Sequence, residues 1–124
     1  MDHVDAEGRM ATPQAEQSGP VVLMNRFVVA EGRDERFLEL WTETSEYFRA
    51  QPGFVSLKLH RAVSVDAEHR YVNVAVWDSA AHYAAPHQTD EFRRLVSQEG
   101  WREFPSSPTL YEVVLEHSLA SATA

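Results

Sequence analysis

The chain has no cysteine among its 124 residues. This absence excludes a disulfide framework, a thiolate zinc site, an iron–sulfur cluster and a cysteine nucleophile. Any catalysis must therefore use His, carboxylate, Tyr, Trp, Asn or Arg side chains, or a bound cofactor.

Positive charge is scarce as well. The chain has 11 Lys and Arg against 19 Asp and Glu, which gives a formal net charge of −8. Because binding to a phosphate backbone needs a basic face, we expect no nucleic acid partner. No apolar run approaches the ~20 residues that cross a bilayer. The N-terminus lacks the basic start and apolar stretch of a signal peptide, so we expect a cytoplasmic protein with no membrane partner.

The length predicts one compact domain, because domains usually contain about 100 to 150 residues. Residues 1–20 combine Gly, Pro, Gln, Ser and Ala with scattered charge and show no apolar period. We therefore expect a disordered N-terminal tail over 1–20, a domain over 21–117 and a flexible C-terminal tail over 118–124.

Apolar periodicity within 21–117 changes between that of strands and that of helices. A helix is predicted from Asp34 to about Gln51, and a second helical segment from Asp78, interrupted by Pro86 and restarted at Thr89. The predicted strands are 21–29, 54–61, 70–77 and 110–116, and Pro105 and Pro108 bound a loop before the last one. The order βαββαβ predicts an α+β, ferredoxin-like fold with a four-stranded antiparallel sheet and both helices on one face.

Alternation along the middle strands predicts which side chains face the helices. Residues predicted on the helix-covered face are Val55, Leu57, Leu59, Val72, Val74 and Val76. The opposite face would carry Ser56, Lys58, His60, Asn73, Ala75, Trp77 and Asn25. Asn, His and Trp together are typical of a partly apolar cavity with a few fixed polar groups. Two such sheets packed face to face would enclose the cavity, which predicts a homodimer.

Each candidate residue also has a structural explanation. Asn25 can bond to a neighbouring backbone at a strand irregularity, and Trp77 can pack against a second subunit. His60 can pair with an acidic residue of the following loop, and His82, Tyr83 and His87 can lie on the surface of the broken helix. No His-x-x-x-His or Glu-x-x-His pair occurs on one predicted helix, so no metal is expected.

Three segments carry a family resemblance: Val-Leu-Met-Asn-Arg-Phe at 22–27, Gln-Pro-Gly-Phe-Val-Ser at 51–56 and Tyr-Val-Asn-Val-Ala-Val-Trp-Asp-Ser at 71–79. In this order they resemble the antibiotic biosynthesis monooxygenase family, a group of small dimeric α/β-barrel proteins. The resemblance covers residues 21 to about 116, which is nearly all of the predicted domain. It implies an oxidoreductase that acts without a cofactor, although the same superfamily includes haem-degrading enzymes, isomerases and proteins without known activity.

The resemblance also implies site residues. In the anthrone-oxidising branch, an Asn, a Trp four residues later and a Tyr six residues beyond it surround an aromatic polyketide, and Asn73, Trp77 and Tyr83 match that spacing. In the haem-degrading branch, the first-strand Asn matches Asn25. The second-helix Trp and axial His of that branch have no counterpart here, so haem iron would lack its proximal ligand.

The expected reaction is oxidation of an anthrone or quinol-type substrate by O2. Asn25 and Asn73 would hydrogen-bond the substrate oxygen, Trp77 would stack on the rings, and Tyr83 or His60 would take or relay the proton. Three alternatives stay open: a haem-degrading or haem-binding member of the family, a non-catalytic dimer that holds an aromatic or haem-like ligand, and a cyclase or isomerase that acts on a polyketide chain.

Overall fold

The computed structural model describes residues 19–119. The predicted tails, 1–20 and 118–124, lie outside the described residues except for 19, 20, 118 and 119. None of the helices within 19–119 combines the length and apolar character needed to span a membrane.

One four-stranded antiparallel sheet organises the described residues, with strand order β2-β3-β1-β4. The strands are β1 Val21–Phe27, β2 Phe54–Arg61, β3 Tyr71–Trp77 and β4 Ser106–Tyr111. The helices are α1 Asp34–Arg49, α2 Ala80–Ala84 and α3 Asp90–Val96, with 3-10 turns at Ala85–Gln88 and Glu99–Glu103. This arrangement confirms the predicted α+β, ferredoxin-like fold.

Local sequence signals define the helix ends. α1 has Asp34 and Glu35 in its first turn and Arg49 in its last, as the helix dipole favours. Ser79 and Thr89 cap α2 and α3, because their side-chain oxygens accept hydrogen bonds from the backbone N–H groups of His82 and Phe92, 3.1 and 3.0 Å away. The predicted interruption at Pro86 is confirmed: the proline begins no α-helix and lies in the 3-10 turn that joins α2 to α3.

Gly53 makes the tight connection between α1 and β2. Its φ of +84° lies in the left-handed region that favours glycine. A Cβ atom at this position would also collide with the side chain of His82.

The predicted last strand is wrong in its bounds. β4 begins at Ser106 rather than at Leu110 and ends at Tyr111 rather than at Glu116, and Pro108 lies inside it instead of in a loop. Proline is compatible with this strand because β4 is at the edge of the sheet, where one side needs no N–H donor. Residues 112–119 have no regular structure.

The predicted faces of β3 are inverted. Tyr71, Ala75 and Trp77 are buried under the helices, with Asn73 between them, whereas the three valines of β3 point to the other face. On β2, Leu57 and Leu59 face the helices as predicted, but Val55 is 56% exposed. A bulge between Phe54 and Ser56 shifts the alternation there. Valines are typical core residues, so the sequence favours them for the face beneath the helices. In the structure, the larger aromatic side chains of β3 fill that space, and the valines lie on the other face.

The core under the helices consists of two clusters. The first contains Val21, Leu23, Ala75, Trp77, Ala80 and Tyr83. The second contains Phe27, Val29, Phe37, Leu40, Tyr71, Trp101 and Phe104. Between them, one row of the sheet carries Asn25 and Asn73 on the helix-covered face.

Phe37 is the centre of the second cluster, and its ring contacts those of Phe27, Tyr71, Trp101 and Phe104 at centroid distances of 4.8 to 6.0 Å. We expect Phe37→Ala to lower the free energy of unfolding by about 3–5 kcal/mol, because it removes a fully buried ring and leaves a cavity. Urea unfolding followed by circular dichroism measures the loss. Glu46→Ala, on the exposed side of α1, should stay within about 0.5 kcal/mol of the parent. Equal midpoints for the two variants would contradict this assignment of the core.

Candidate functional site

A cavity lies between the helix-covered face of the sheet and the helices. It has a volume of about 70 Å³ and is partly open to solvent. The lining is mainly apolar and aromatic, with a few polar groups: Leu23, Asn25, Phe27, Trp41, Thr44, Ser45, Phe48, Phe54, Leu57, Asn73, Ala75, Trp77, Tyr83, His87, Phe92, Val96, Trp101 and Pro108. Among the described residues, no Asp, Glu, Lys or Arg belongs to this lining. Such a cavity favours an uncharged aromatic ligand held by hydrogen bonds.

The floor of the cavity contains both asparagines of the chain. Asn25 of β1 and Asn73 of β3 are direct partners across the antiparallel ladder, so their side chains lie next to each other on the same face. The Oδ1 atoms of both are buried and have no hydrogen-bond partner in the described structure. A buried polar atom without a partner costs about 1–3 kcal/mol, so this pair is ready to bind a ligand that supplies hydrogen bonds.

Aromatic rings build the walls on either side of this floor. Trp77 is 2% exposed, and its ring meets those of Phe48, Phe54 and Tyr83 edge to face at 6.3, 5.5 and 6.3 Å. At the other end, the indole N–H of Trp101 donates to Thr44 Oγ1 over 3.2 Å. Fixed rings of this kind suit a flat aromatic ligand.

His87 lies in the 3-10 turn above the floor, within a set of rings. Its ring centroid is 4.6 Å from that of Tyr83, 4.9 Å from Phe92 and 5.1 Å from Phe48. Its Nδ1 is 2.9 Å from the backbone oxygen of Tyr83. Burial among these groups lowers the pKa of His87 to about 4, so the imidazole is neutral at physiological pH.

Tyr47 of α1 anchors the turn that carries His87. Its hydroxyl donates to the backbone oxygen of Pro86 over 2.6 Å and lies 2.5 Å from Thr89 Oγ1. The backbone is therefore fixed on both sides of His87, and the helix cap at Thr89 belongs to the same network.

The structure brings four of the five predicted site residues together, and their roles remain predictions. Asn25, Asn73, Trp77 and Tyr83 all line the cavity. They do so on the face opposite to the one we expected, beneath the helices of the same chain. His60 does not join them: it is exposed and pairs with Val72 on the other face of the sheet.

The sequence favours a helix-surface position for His87, whereas the structure places it in the cavity lining. One signal was available, since His87 follows Tyr83 by four residues and side chains at that spacing share a helix face. The break at Pro86 hid this relation. Only the packing of the turn against α1 and α3 brings the ring to the cavity. The expectation that haem iron would find no histidine is therefore not supported, because His87 lines the cavity.

The pKa of His87 has a consequence for stability. Because the folded pKa lies below the ordinary 6.5, the unfolded chain binds more protons between pH 6.5 and 4, so acid destabilises the folded state over that interval. His87 should contribute a loss of about 3 kcal/mol between pH 7 and 4. Urea unfolding at a series of pH values measures it. His87→Phe, which retains a ring, should flatten this part of the curve, whereas His69→Gln in the β2–β3 loop should keep it. A His87→Phe curve parallel to that of the parent would contradict the lowered pKa.

Several known proteins are similar to this chain in sequence or in fold. Over 103 residues the chain is 35% identical to deoxynogalonate monooxygenase of Streptomyces nogalater, covering 82% of this chain and 75% of that protein. Among solved structures, SnoaB, a cofactor-independent oxygenase from Streptomyces nogalater, has a TM-score of 0.68 and 27% identity over 79% of this chain and 96% of its own. MhuD, solved with two manganese protoporphyrin IX molecules per active site, has a TM-score of 0.63 over 79% of this chain and 98% of its own. At 23% identity, MhuD shares the fold alone.

Residues 20–98 match the family model for antibiotic biosynthesis monooxygenases, which spans both asparagines, Trp77, Tyr83 and His87. The monooxygenase relatives make an oxidoreductase of this chain and agree with the aromatic cavity. The chain belongs to the antibiotic biosynthesis monooxygenase family.

Proposed function

We propose that this protein is a cofactor-independent monooxygenase that oxidises a phenolic aromatic substrate, of the anthrone or quinol type, with O2. The observation that carries the proposal is the pair of buried, unpartnered amide oxygens on Asn25 and Asn73 at the floor of an aromatic cavity. A hydroxylated aromatic supplies both the flat rings that the walls favour and the hydrogen bonds that the floor lacks.

The chemistry requires an electron-rich substrate. Triplet O2 reacts slowly with closed-shell molecules, but the enolate of an anthrone can transfer one electron to O2. Superoxide and the carbon radical then combine into a peroxide. Loss of the remaining hydrogen on that carbon with cleavage of the O–O bond gives a ketone and one water molecule, so one oxygen atom enters the product and the other leaves as water.

The cavity residues would favour the enolate. The amides of Asn25 and Asn73 accept from the neutral hydroxyl, and after rotation about χ2 they donate N–H groups to the anionic oxygen. Trp77 holds the ring plane against the floor. Tyr83, whose ring is 6.3 Å from that of Trp77, forms the side wall where the predicted proton relay would act.

The relatives support the same reaction class. SnoaB is described as a cofactor-independent oxygenase, and the curated relative is a monooxygenase named for deoxynogalonate. By this similarity, the substrate of the present chain would be an aromatic polyketide of antibiotic biosynthesis.

We expect Asn73→Leu to separate function from stability. The substitution removes a buried unpartnered oxygen, so the free energy of unfolding should stay equal or rise, while kcat/KM for O2 uptake with a dihydroxyanthrone should fall roughly 10²-fold. An oxygen electrode and urea unfolding measure the two effects. Gln98→Leu is the matched control, because its amide lies outside the cavity lining and bonds Glu43 instead. Full activity of an Asn73→Leu, Trp77→Phe double variant would remove both residues from the mechanism.

The three alternatives give different results in the same assay. A cyclase or isomerase would convert its substrate equally well without air, and a passive binder would bind the anthrone without consuming O2. A haem-dependent enzyme would consume O2 only after addition of haemin and a reductant. The proposal requires O2 uptake by the purified chain with substrate alone, including after treatment with a metal chelator.

We also propose that the protein is a homodimer formed through the open face of the sheet. Val22, Val72, Val74 and Val76 lie on this face, together with Met24, which is 37% exposed. The segment that follows β4 adds further exposed apolar side chains, namely Val113, Val114 and Leu115. A row of apolar side chains on an uncovered sheet face is typical of a subunit interface, and a second copy of the sheet matches it in shape and character.

The dimer is tested by sedimentation equilibrium. The parent should have twice the chain mass of 14.1 kDa. Val74→Glu should shift the equilibrium to monomer, because it places a carboxylate in the middle of the apolar face. Thr42→Glu, which adds the same charge on the exposed side of α1, should remain dimeric. Subunit interfaces of this kind are populated at concentrations on the order of 100 µM. A parent that is monomeric at such a concentration would overturn this part of the proposal.

A further inference from the structure

We propose that His87 is a further catalytic residue, whose Nε2 accepts the proton of the substrate hydroxyl. The inference rests on the proposed function and identifies the base, for which the sequence favours Tyr83 or His60.

The hydrogen bond of the other ring nitrogen fixes the tautomer. A backbone carbonyl can only accept, so the Nδ1 that lies 2.9 Å from Tyr83 O carries the proton and donates it. In a neutral imidazole the lone pair is then on Nε2. The backbone acceptors of His87 are those of Tyr83 and Ala84, one turn back along the chain. Among the described residues no side chain is bonded to Nε2, and His87 lines the cavity, so this nitrogen can meet a ligand there.

Few other residues of the cavity lining could act as the base. Among the described residues, the titratable side chains of the cavity are Tyr83 and His87. A tyrosine must first lose its own hydroxyl proton before it can act as a base, whereas a neutral imidazole accepts a proton directly. His60, on the other face of the sheet, is outside this lining.

The turn that carries His87 holds it in one place. Tyr47 bonds to Pro86 and Thr89 on either side of it, and the rings of Phe48, Tyr83 and Phe92 surround the imidazole. A base held by its backbone and by three rings needs little reorganisation when the substrate arrives, which is a requirement of efficient proton transfer.

The proton transfer is balanced within the cavity. In the enol tautomer of the substrate, the O–H bond at the former ketone oxygen breaks, an N–H bond forms at Nε2, and the products are an enolate and an imidazolium. Burial disfavours an isolated imidazolium, but the enolate supplies the opposite charge in the same water-poor space, where attraction between ions is strong. After O2 has added to the enolate, the imidazolium returns its proton to the terminal oxygen of the peroxide, and His87 is neutral again.

Anaerobic titration with 1,8-dihydroxyanthrone tests this assignment, because its enolate absorbs at longer wavelength than the neutral form. Tryptophan fluorescence quenching reports binding independently. The parent should bind the anthrone and develop the enolate band. Two variants remove the basic nitrogen: His87→Gln retains an amide near the position of Nε2, and His87→Asn retains a donor for the backbone oxygen of Tyr83. Both should bind the anthrone without developing the enolate band. Both should lose about 10²-fold or more in O2 uptake.

The outcomes distinguish this inference from the proposed function. His69→Gln should match the parent, and unfolding curves verify that each His87 variant is folded. Enolate formation and turnover at parental levels in either folded variant would overturn the role of His87 while leaving the oxygenase intact. A His87-dependent band without any O2 uptake would support the base and refute the oxygenase. Binding by the parent without the band would overturn the base, and no binding at all would refute the proposed function together with it.

Discussion

The register between β1 and β3 is the constraint on which the site depends. It makes Asn25 and Asn73 direct partners, with Leu23 and Ala75 on one side of them and Phe27 and Tyr71 on the other. Because side chains alternate along strands, a slip of one residue would send one asparagine to the open face and bury a valine or arginine in its place. Both aromatic clusters would be lost with it, so the packing that stabilises the fold also maintains the amide pair.

The second requirement is the break in the helical layer. A continuous helix after β3 would cover the sheet with one face, and Pro86 prevents this by ending α2 after five residues. The resulting turn brings Tyr83 and His87 over the sheet, and Tyr47 fastens it to α1. Helix capping at Thr89 and placement of a cavity histidine thus use the same few hydrogen bonds.

The cavity is built from features that cost stability. Two buried amide oxygens lack partners, and a buried imidazole is kept neutral against its usual pKa. The large rings of Phe37, Trp101 and Phe104, each at most 2% exposed, offset this cost by burying apolar area next to the site. Unfavourable features of this kind tend to persist where a ligand compensates for them. The pair of unpartnered amides is therefore a better indicator of function than the cavity volume.

The sequence by itself determined the order of elements, the helix caps, the break at Pro86 and the family, because these depend on local propensity, periodicity and short motifs. It also predicted that Asn25, Asn73, Trp77 and Tyr83 belong to one site. Only the tertiary structure decided that they lie beneath the helices, that His60 lies apart from them and that His87 lies with them. Alternation along a strand separates its side chains into two faces but does not tell which face the helices cover. The covered face is the one whose large aromatic rings fill the space between the sheet and the helices.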